Sequence, residues 1–183
     1  MRKALPYLRF RRKATNRHGV HSPFIYKLLE DVVYVKRQKK CPVKSRKKEY
    51  HLYLRLFEHY QPQNIYLNQS NEFFDKLFAD YLKTHPNSKV EQNSPLLSSK
   101  TSFDIYILNN IQNQSVIKEI EHSTLIKNNS FVIIPQIRAS KSQLEVWKNF
   151  IKNDFSIVSL EFYHFGLAFF KKECSRQYFS IKF

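Results

Sequence analysis

Three short apolar runs most constrain what this chain can fold into. They are Ile65-Tyr66-Leu67, Phe103 to Leu108 (broken only by Asp104) and Phe131-Val132-Ile133-Ile134. Each stops abruptly at polar or turn-forming residues: Asn68-Gln69-Ser70, Asn109-Asn110 and Pro135-Gln136. A strand covered on both faces reads as a continuous apolar run, because neither face meets water. Helical periodicity separates the runs. Phe74, Leu77, Phe78, Tyr81 and Leu82 follow the first, and Val116, Ile117 and Ile120 follow the second. Buried strands alternating with helices predict a mostly parallel sheet between helical layers. Ser140 to Gln143 has the spacing of a capping box and opens a helix with Leu144, Trp147, Phe150 and Ile151. The period then changes to two. Ile157–Phe162, Phe165–Phe170 and Tyr178–Phe183 are joined by short connections without a helix, which predicts antiparallel pairing. The expected fold is α/β: a Rossmann-like three-layer sandwich with a mostly parallel sheet and antiparallel C-terminal strands.

In such a sheet, ligands bind outside the carboxyl ends of the strands. Ile65 to Asn71 is therefore the stretch on which function turns. It runs from strand into a tight turn, with Ser70 or Asn71 as the cap of the next helix. Glycine normally dominates such turns, since it lets the backbone approach a ligand and take positive φ. This turn has none, and the chain's two glycines, Gly19 and Gly166, lie elsewhere.

Charge divides the chain. Of the 31 Lys and Arg residues, 16 fall in residues 1–48 against two acids, Glu30 and Asp31, whereas the remaining residues are nearly neutral. Residues 1–48 read as a basic arm, helix and linker, and residues 49–183 as the α/β domain. The arm begins with Leu5, Tyr7, Leu8 and Phe10 interleaved with Arg9, Arg11, Arg12, Lys13 and Arg17. Pro6 is expected to bar a helix from the first residues, and a basic amphipathic helix is expected from Tyr7 onward. Ser22-Pro23 reads as an N-cap and first helical residue, for a helix reaching about Val35. Residues 36–48 hold Lys36, Arg37, Lys39, Lys40, Lys44, Arg46, Lys47 and Lys48, and read as a mobile, solvated linker. A helix from about Lys48 to Tyr60 follows, closed by Gln61-Pro62.

The basic arm suggests an anionic partner, nucleic acid or an acidic membrane face, with Arg9, Arg11, Arg12, Lys13, Arg17, Lys36, Arg37, Lys39, Lys40, Arg46, Lys47 and Lys48 as the anion-binding set. Tyr7 and Phe10 would stack on bases in the first case. The plainer alternative is a solvated arm. His18 and His21 flank a turn glycine and make a poor metal site by themselves. Cys41 and Cys174 form no disulfide framework, and Cys41 reads as an ordinary exposed thiol. With no secretory pattern at the start and no run of about 18 apolar residues, a cytoplasmic setting without a transmembrane segment is expected.

Three segments carry a family likeness: Lys13 to Phe24 (KATNRHGVHSPF), Phe103-Asp104 before a strand, and Phe165-Gly166-Leu167-Ala168-Phe169-Phe170 with Gln177 to Phe183. On these the chain resembles class I S-adenosylmethionine-dependent methyltransferases of the catechol O-methyltransferase-like branch. The resemblance implies an acidic, glycine-rich turn under the cofactor's methionine part, and here Leu67 to Asn71 supplies neither acid nor glycine. It implies an acid at the end of the second strand for the ribose hydroxyls. Too little chain separates His85 from Phe103 for two strands and a helix, so the sheet is expected to be truncated around the second and third strands, with Val90 as a remnant. It implies Asp-Gly at the end of the central strand, where this chain has Asn109-Asn110, and acids after the next strand, where it has Pro135-Gln136. Divalent metals such as Mg²⁺ favour charged oxygen ligands, so these replacements remove the metal site.

The reading that follows is a degenerate member: a non-catalytic binding or scaffold protein with no cofactor. Asn68, Gln69, Ser70 and Asn109 would be vestiges of the cofactor site, and no catalytic or metal residue is assigned. An active S-adenosylmethionine-dependent enzyme with an altered site is the first alternative, using those same four residues. A nucleic-acid or anionic-surface binder is the second. A shortened sheet also exposes an edge that a homodimer would cover.

Overall fold

The computed structural model describes residues 4–35, 41–96, 99, 101–111, 115–122, 126–154 and 156–183. Its core is a sheet of seven strands: β1 (Asn64–Leu67), β2 (Lys89–Gln92), β3 (Ile105–Ile107), β4 (Phe131–Ile134), β5 (Val158–Phe162), β6 (Phe165–Phe169) and β7 (Gln177–Ile181). They lie in the order β2-β1-β3-β4-β6-β5-β7. Every pairing is parallel except those of β6 with β4 and β5, so six strands run one way and β6 runs against them.

Alternate residues of each strand serve opposite layers, as the period of two requires. Ile65, Leu67, Ile105, Ile107, Phe131 and Ile133 pack toward one cluster, with α3 (Lys47–Tyr60) and α4 (Glu72–Leu82). Tyr66, Tyr106, Val132 and Ile134 pack toward the other, with α5 (Ser115–His122) and α6 (Lys141–Phe150). The architecture is the expected three-layer sandwich. Gly166 is required where β6 crosses α6, since a Cβ there would stand 2.4 Å from the Trp147 ring.

Several expectations are corrected. The last strand does not join an all-antiparallel end: β7 pairs with β5 in parallel, Val158 facing Gln177 and Phe162 facing Ile181. Both edges of β6 are already taken, by β4 and β5, so β7 can add only at the free edge of β5. A short connection from the end of β6 passes the start of β5, and the strand that follows must then run with β5. The remnant expected around Val90 is a paired strand, β2. Lys89–Gln92 registers with Asn64–Leu67, and no strand lies between β2 and β3 among the described residues.

At the N-terminus, α1 (Ala4–Lys13) includes Pro6 in its first turn. The missing proline N–H costs nothing there, because first-turn amides have no intrahelical acceptor. Phe10 is buried against Tyr163 (5.5 Å between ring centres), and Tyr7 packs edge-on to the same ring at 5.0 Å. Phe10 is thus spent on the body, while Tyr7 stays 36% exposed beside Tyr163. Thr15 then bridges Ile181, its N–H donating to Ser180 O at 2.8 Å and its carbonyl accepting from Lys182 at 2.8 Å, so the arm is stitched to β7.

The next helix is α2 (Pro23–Leu28), which widens into a π turn over Leu29–Val33. Arg55 of α3 donates to the carbonyls of Val32 (2.5 Å) and Val33 (3.0 Å), satisfying that end. The linker is also less free than expected where it is described. Val43 is buried, Cys41 is half-buried against the core rather than exposed, and Arg46 donates through Nε to Glu49 at 2.9 Å with its guanidinium 4.2 Å from the Phe73 ring centre. No helix among the described residues is long and apolar enough to cross a membrane.

Candidate functional site

The carboxyl ends of β1, β3 and β4 meet at a cleft of about 250 Å³ lined by Gln69, Ser70, Asn71, Asn109, Asn110, Gln136, Ala139 and Gln143. All eight are uncharged. The fold brings three of the four sequence-predicted site residues, Gln69, Ser70 and Asn109, into the lining, and the fourth, Asn68, directly behind it.

These groups are bonded to one another. Asn68 donates its Nδ2 to the Asn109 carbonyl at 3.0 Å, and its Oδ1 accepts from the Asn109 N–H at 2.6 Å. Asn109 returns the contact, its Nδ2 donating to the Gln69 carbonyl at 3.0 Å. Asn110 Nδ2 reaches Gln69 Oε1 at 3.3 Å. The Ser70 amide donates to Asn93 Oδ1 at 2.9 Å, and its hydroxyl donates to Asp75. Asn71 caps α4, accepting from the amides of Phe73 (3.0 Å) and Phe74 (3.2 Å). Buried polar groups seek partners, and here those partners are within the chain. The Ser70 amide and the Gln69 carbonyl of the turn are thus engaged, as are the Phe73 and Phe74 amides in the first turn of α4.

The backbone keeps the shape that glycine would favour. Asn93, Asn110 and Gln136, just beyond β2, β3 and β4, have φ of 60°, 52° and 52°. Such left-handed residues cost about 1–2 kcal/mol for an ordinary side chain, and less for Asn. The strand-end turns therefore persist while side chains occupy the space beside them.

β2 also carries an acid that sequence reasoning did not single out. Glu91 lies in β2, but its two carboxylate oxygens accept from the hydroxyls of Ser94 (2.7 Å) and Ser99 (3.2 Å). Two hydroxyls on one carboxylate is the arrangement a ribose diol would make. The signal was the short Lys89-Val90-Glu91 segment, had it been paired with β1.

Asp104, the other acid of the resemblance, stands away from the cleft, at the amino-terminal ends of the central strands β1 and β3. Its Oδ2 accepts from the amides of Gln63 (2.8 Å) and Asn64 (2.9 Å), and its Oδ1 from Lys127 at 2.9 Å. Partial burial raises its pKa, but the Lys127 contact and the two amides outweigh it and hold the carboxyl below its usual value. It fastens the start of β1. The buried Glu161 likewise serves packing, accepting from Trp147 Nε1 at 3.1 Å and from Arg138 and Tyr178.

Of the predicted anion-binding residues, Arg9, Arg11, Arg12 and Lys13 are exposed on α1, and Lys47 and Lys48 are exposed at the start of α3. Arg17 pairs with Glu30 at 3.1 Å, and Arg46 is paired with Glu49. Lys36, Arg37, Lys39 and Lys40 lie outside the described residues. Among the described residues of the set, those of α1 sit on a helix packed on Tyr163, between β5 and β6, and Arg46 packs on Phe73 of α4. His18 and His21 join no metal-ligating group among the described residues.

No family model and no curated protein matches this chain. Among solved structures, it is similar to the SAH-bound methyltransferase PaMTH1 of Podospora anserina, at 8% identity and TM-score 0.48, over 70% of this chain and 80% of the other. It is also similar to a candidate caffeoyl-CoA O-methyltransferase of Staphylococcus aureus, at 12% identity and TM-score 0.34, over 82% and 86%. Both carry methyltransferase names. At these identities and scores neither likeness bears on activity; the Rossmann-like fold rests on the strand order above.

Against S-adenosylmethionine, the cofactor that the resemblance implies, the lining can be compared group by group. The cofactor brings a carboxylate that wants free amides and an ammonium that wants an acid; the Ser70 and Phe73 amides are already engaged, and the lining holds no acid. Ligand pockets of drug-like size run from about 300 to 1,000 Å³, so a cleft of about 250 Å³ is small for it. A divalent cation would find only amide and hydroxyl oxygens in the lining.

Proposed function

We propose that this chain is a methyltransferase-type scaffold that does not bind S-adenosylmethionine and acts as a binding protein rather than an enzyme. The observation that carries the reading is the two-point bond between Asn68 and Asn109. It joins the carboxyl ends of β1 and β3 at the position where the sequence resemblance puts the cofactor. The uncharged lining supports the same reading, because neither a general base nor a charged ligand for a metal borders the cleft.

One observation favours a second reading, an enzyme that retains the cofactor. Glu91 is on the strand where the resemblance expects a ribose-holding acid, and exchange of the Ser94 and Ser99 hydroxyls for a ribose diol would free it. Ligand-detected NMR with S-adenosylmethionine and S-adenosylhomocysteine separates the two. The scaffold reading predicts no saturation transfer to the adenine protons. Transfer that wild-type protein shows and Glu91→Gln loses establishes the second reading.

A further inference from the structure

We propose that α1 is an interfacial anchor that lays this protein on an anionic lipid bilayer. This inference is independent of the fate of the cleft. Successive helical residues turn by about 100°, which places Phe10, Ala14 and Tyr7 on one side of the N-terminal segment and Leu5, Leu8, Arg9 and Arg12 on the other. The inner side is spent on the body. Phe10 and Ala14 are buried, and Arg138 holds its guanidinium 5.1 Å from the Phe10 ring centre and 4.8 Å from that of Tyr163. The outer side carries the exposed leucines: Leu5 is 55% and Leu8 52% exposed, ahead of Tyr178, Val35, Tyr26 and Tyr7 among the described large apolar residues.

The chemistry of that outer side selects lipid over nucleic acid. Single-stranded nucleic acid is held by cations together with aromatic platforms, and here Phe10 is buried and Tyr7, 36% exposed, packs edge-on to Tyr163, so neither ring offers a free face on the far side of α1. The side opposite Phe10 is aliphatic: two leucines one turn apart, flanked by Arg9, Arg11, Arg12 and Lys13, with no acid in the helix. Leucines entering the acyl boundary with arginines at headgroup level is the arrangement of an interfacial helix. The Thr15 bridge to β7 fixes α1 to the domain, so its lipid-facing side is presented by a folded body rather than by a free tail.

The test is flotation of the full chain with vesicles of phosphatidylcholine alone and of phosphatidylcholine with phosphatidylglycerol. The expected result is binding to the mixed vesicles only, weakening as salt screens the headgroups. Leu5→Ser with Leu8→Ser, and separately Arg9→Gln with Arg12→Gln, should each weaken binding on the order of tenfold or more, with melting temperature unchanged. A Leu8→Trp variant, which reports insertion directly, should shift its fluorescence to the blue on mixed vesicles. Failure of the full chain to float overturns the proposal. So does binding that survives the leucine substitutions, or a Leu8→Trp emission that does not move. Salt-sensitive binding to a single-stranded RNA that outcompetes vesicles and ignores the leucine substitutions overturns it in favour of nucleic acid.

Discussion

The side chain of Asn68 bridges both backbone polar groups of Asn109, donating to its carbonyl at 3.0 Å and accepting from its amide at 2.6 Å. One primary amide thus completes a pairing that the β1–β3 ladder, which ends at Leu67 and Ile107, no longer supplies. Asn109 is buried, so water does not readily replace the bond. Asn68→Ala should leave an N–H and a C=O without partners and destabilise the protein by about 1–3 kcal/mol. Asn68→Asp keeps the acceptor but sets a carboxylate oxygen against the carbonyl, and should fall below wild type as well. Urea denaturation of the three proteins at neutral pH measures this.

Asp104 predicts a pH dependence. Its folded pKa is lowered, so its contribution is present above the unfolded carboxyl value of about 3.9 and is lost as pH falls through the folded pKa. Asp104→Asn should cost about 1 kcal/mol at neutral pH, the scale of one net hydrogen bond at a partly exposed site. It should also flatten the acid limb of the stability curve relative to wild type below about pH 4. An identical acid limb in both proteins would remove Asp104 from the account. Chemical melts from pH 3 to 7 read both effects.

Gln136 offers a gain. It is exposed, with φ 52° just after β4. Gln136→Gly removes the Cβ clash of the left-handed region and should stabilise by up to about 1 kcal/mol, because the relief slightly exceeds the added chain entropy. Gln136→Val should destabilise, since a branched Cβ is worst placed at positive φ. Thermal melts of the two variants should move in opposite directions.

The sheet was legible because its central strands are buried on both faces, and residues such as Ile105 to Ile107 admit no other environment. The partner of β7 was not, because a period of two says which side of a strand is apolar and not which edge it joins. Local signals also failed where tertiary contacts decide. Cys41 and Arg46 sit in a run of lysines yet pack on the core, and Phe10 is buried against Tyr163. In the site, the absence of glycine and acid from Leu67–Asn71 was visible directly. The mutual bonding of Asn68 and Asn109 was not, since it joins residues 41 positions apart. Glu91 was overlooked because a strand of four residues, Lys89–Gln92, carries little periodicity.

The central claim is that the chain's own side chains close the cleft against the cofactor. Isothermal titration of the full chain with S-adenosylmethionine and S-adenosylhomocysteine, with and without Mg²⁺, tests it most directly. The account predicts no saturable heat from either ligand under either condition. One-to-one binding with a micromolar dissociation constant would contradict it, and would show that Asn68 and Asn109 part to admit a ligand.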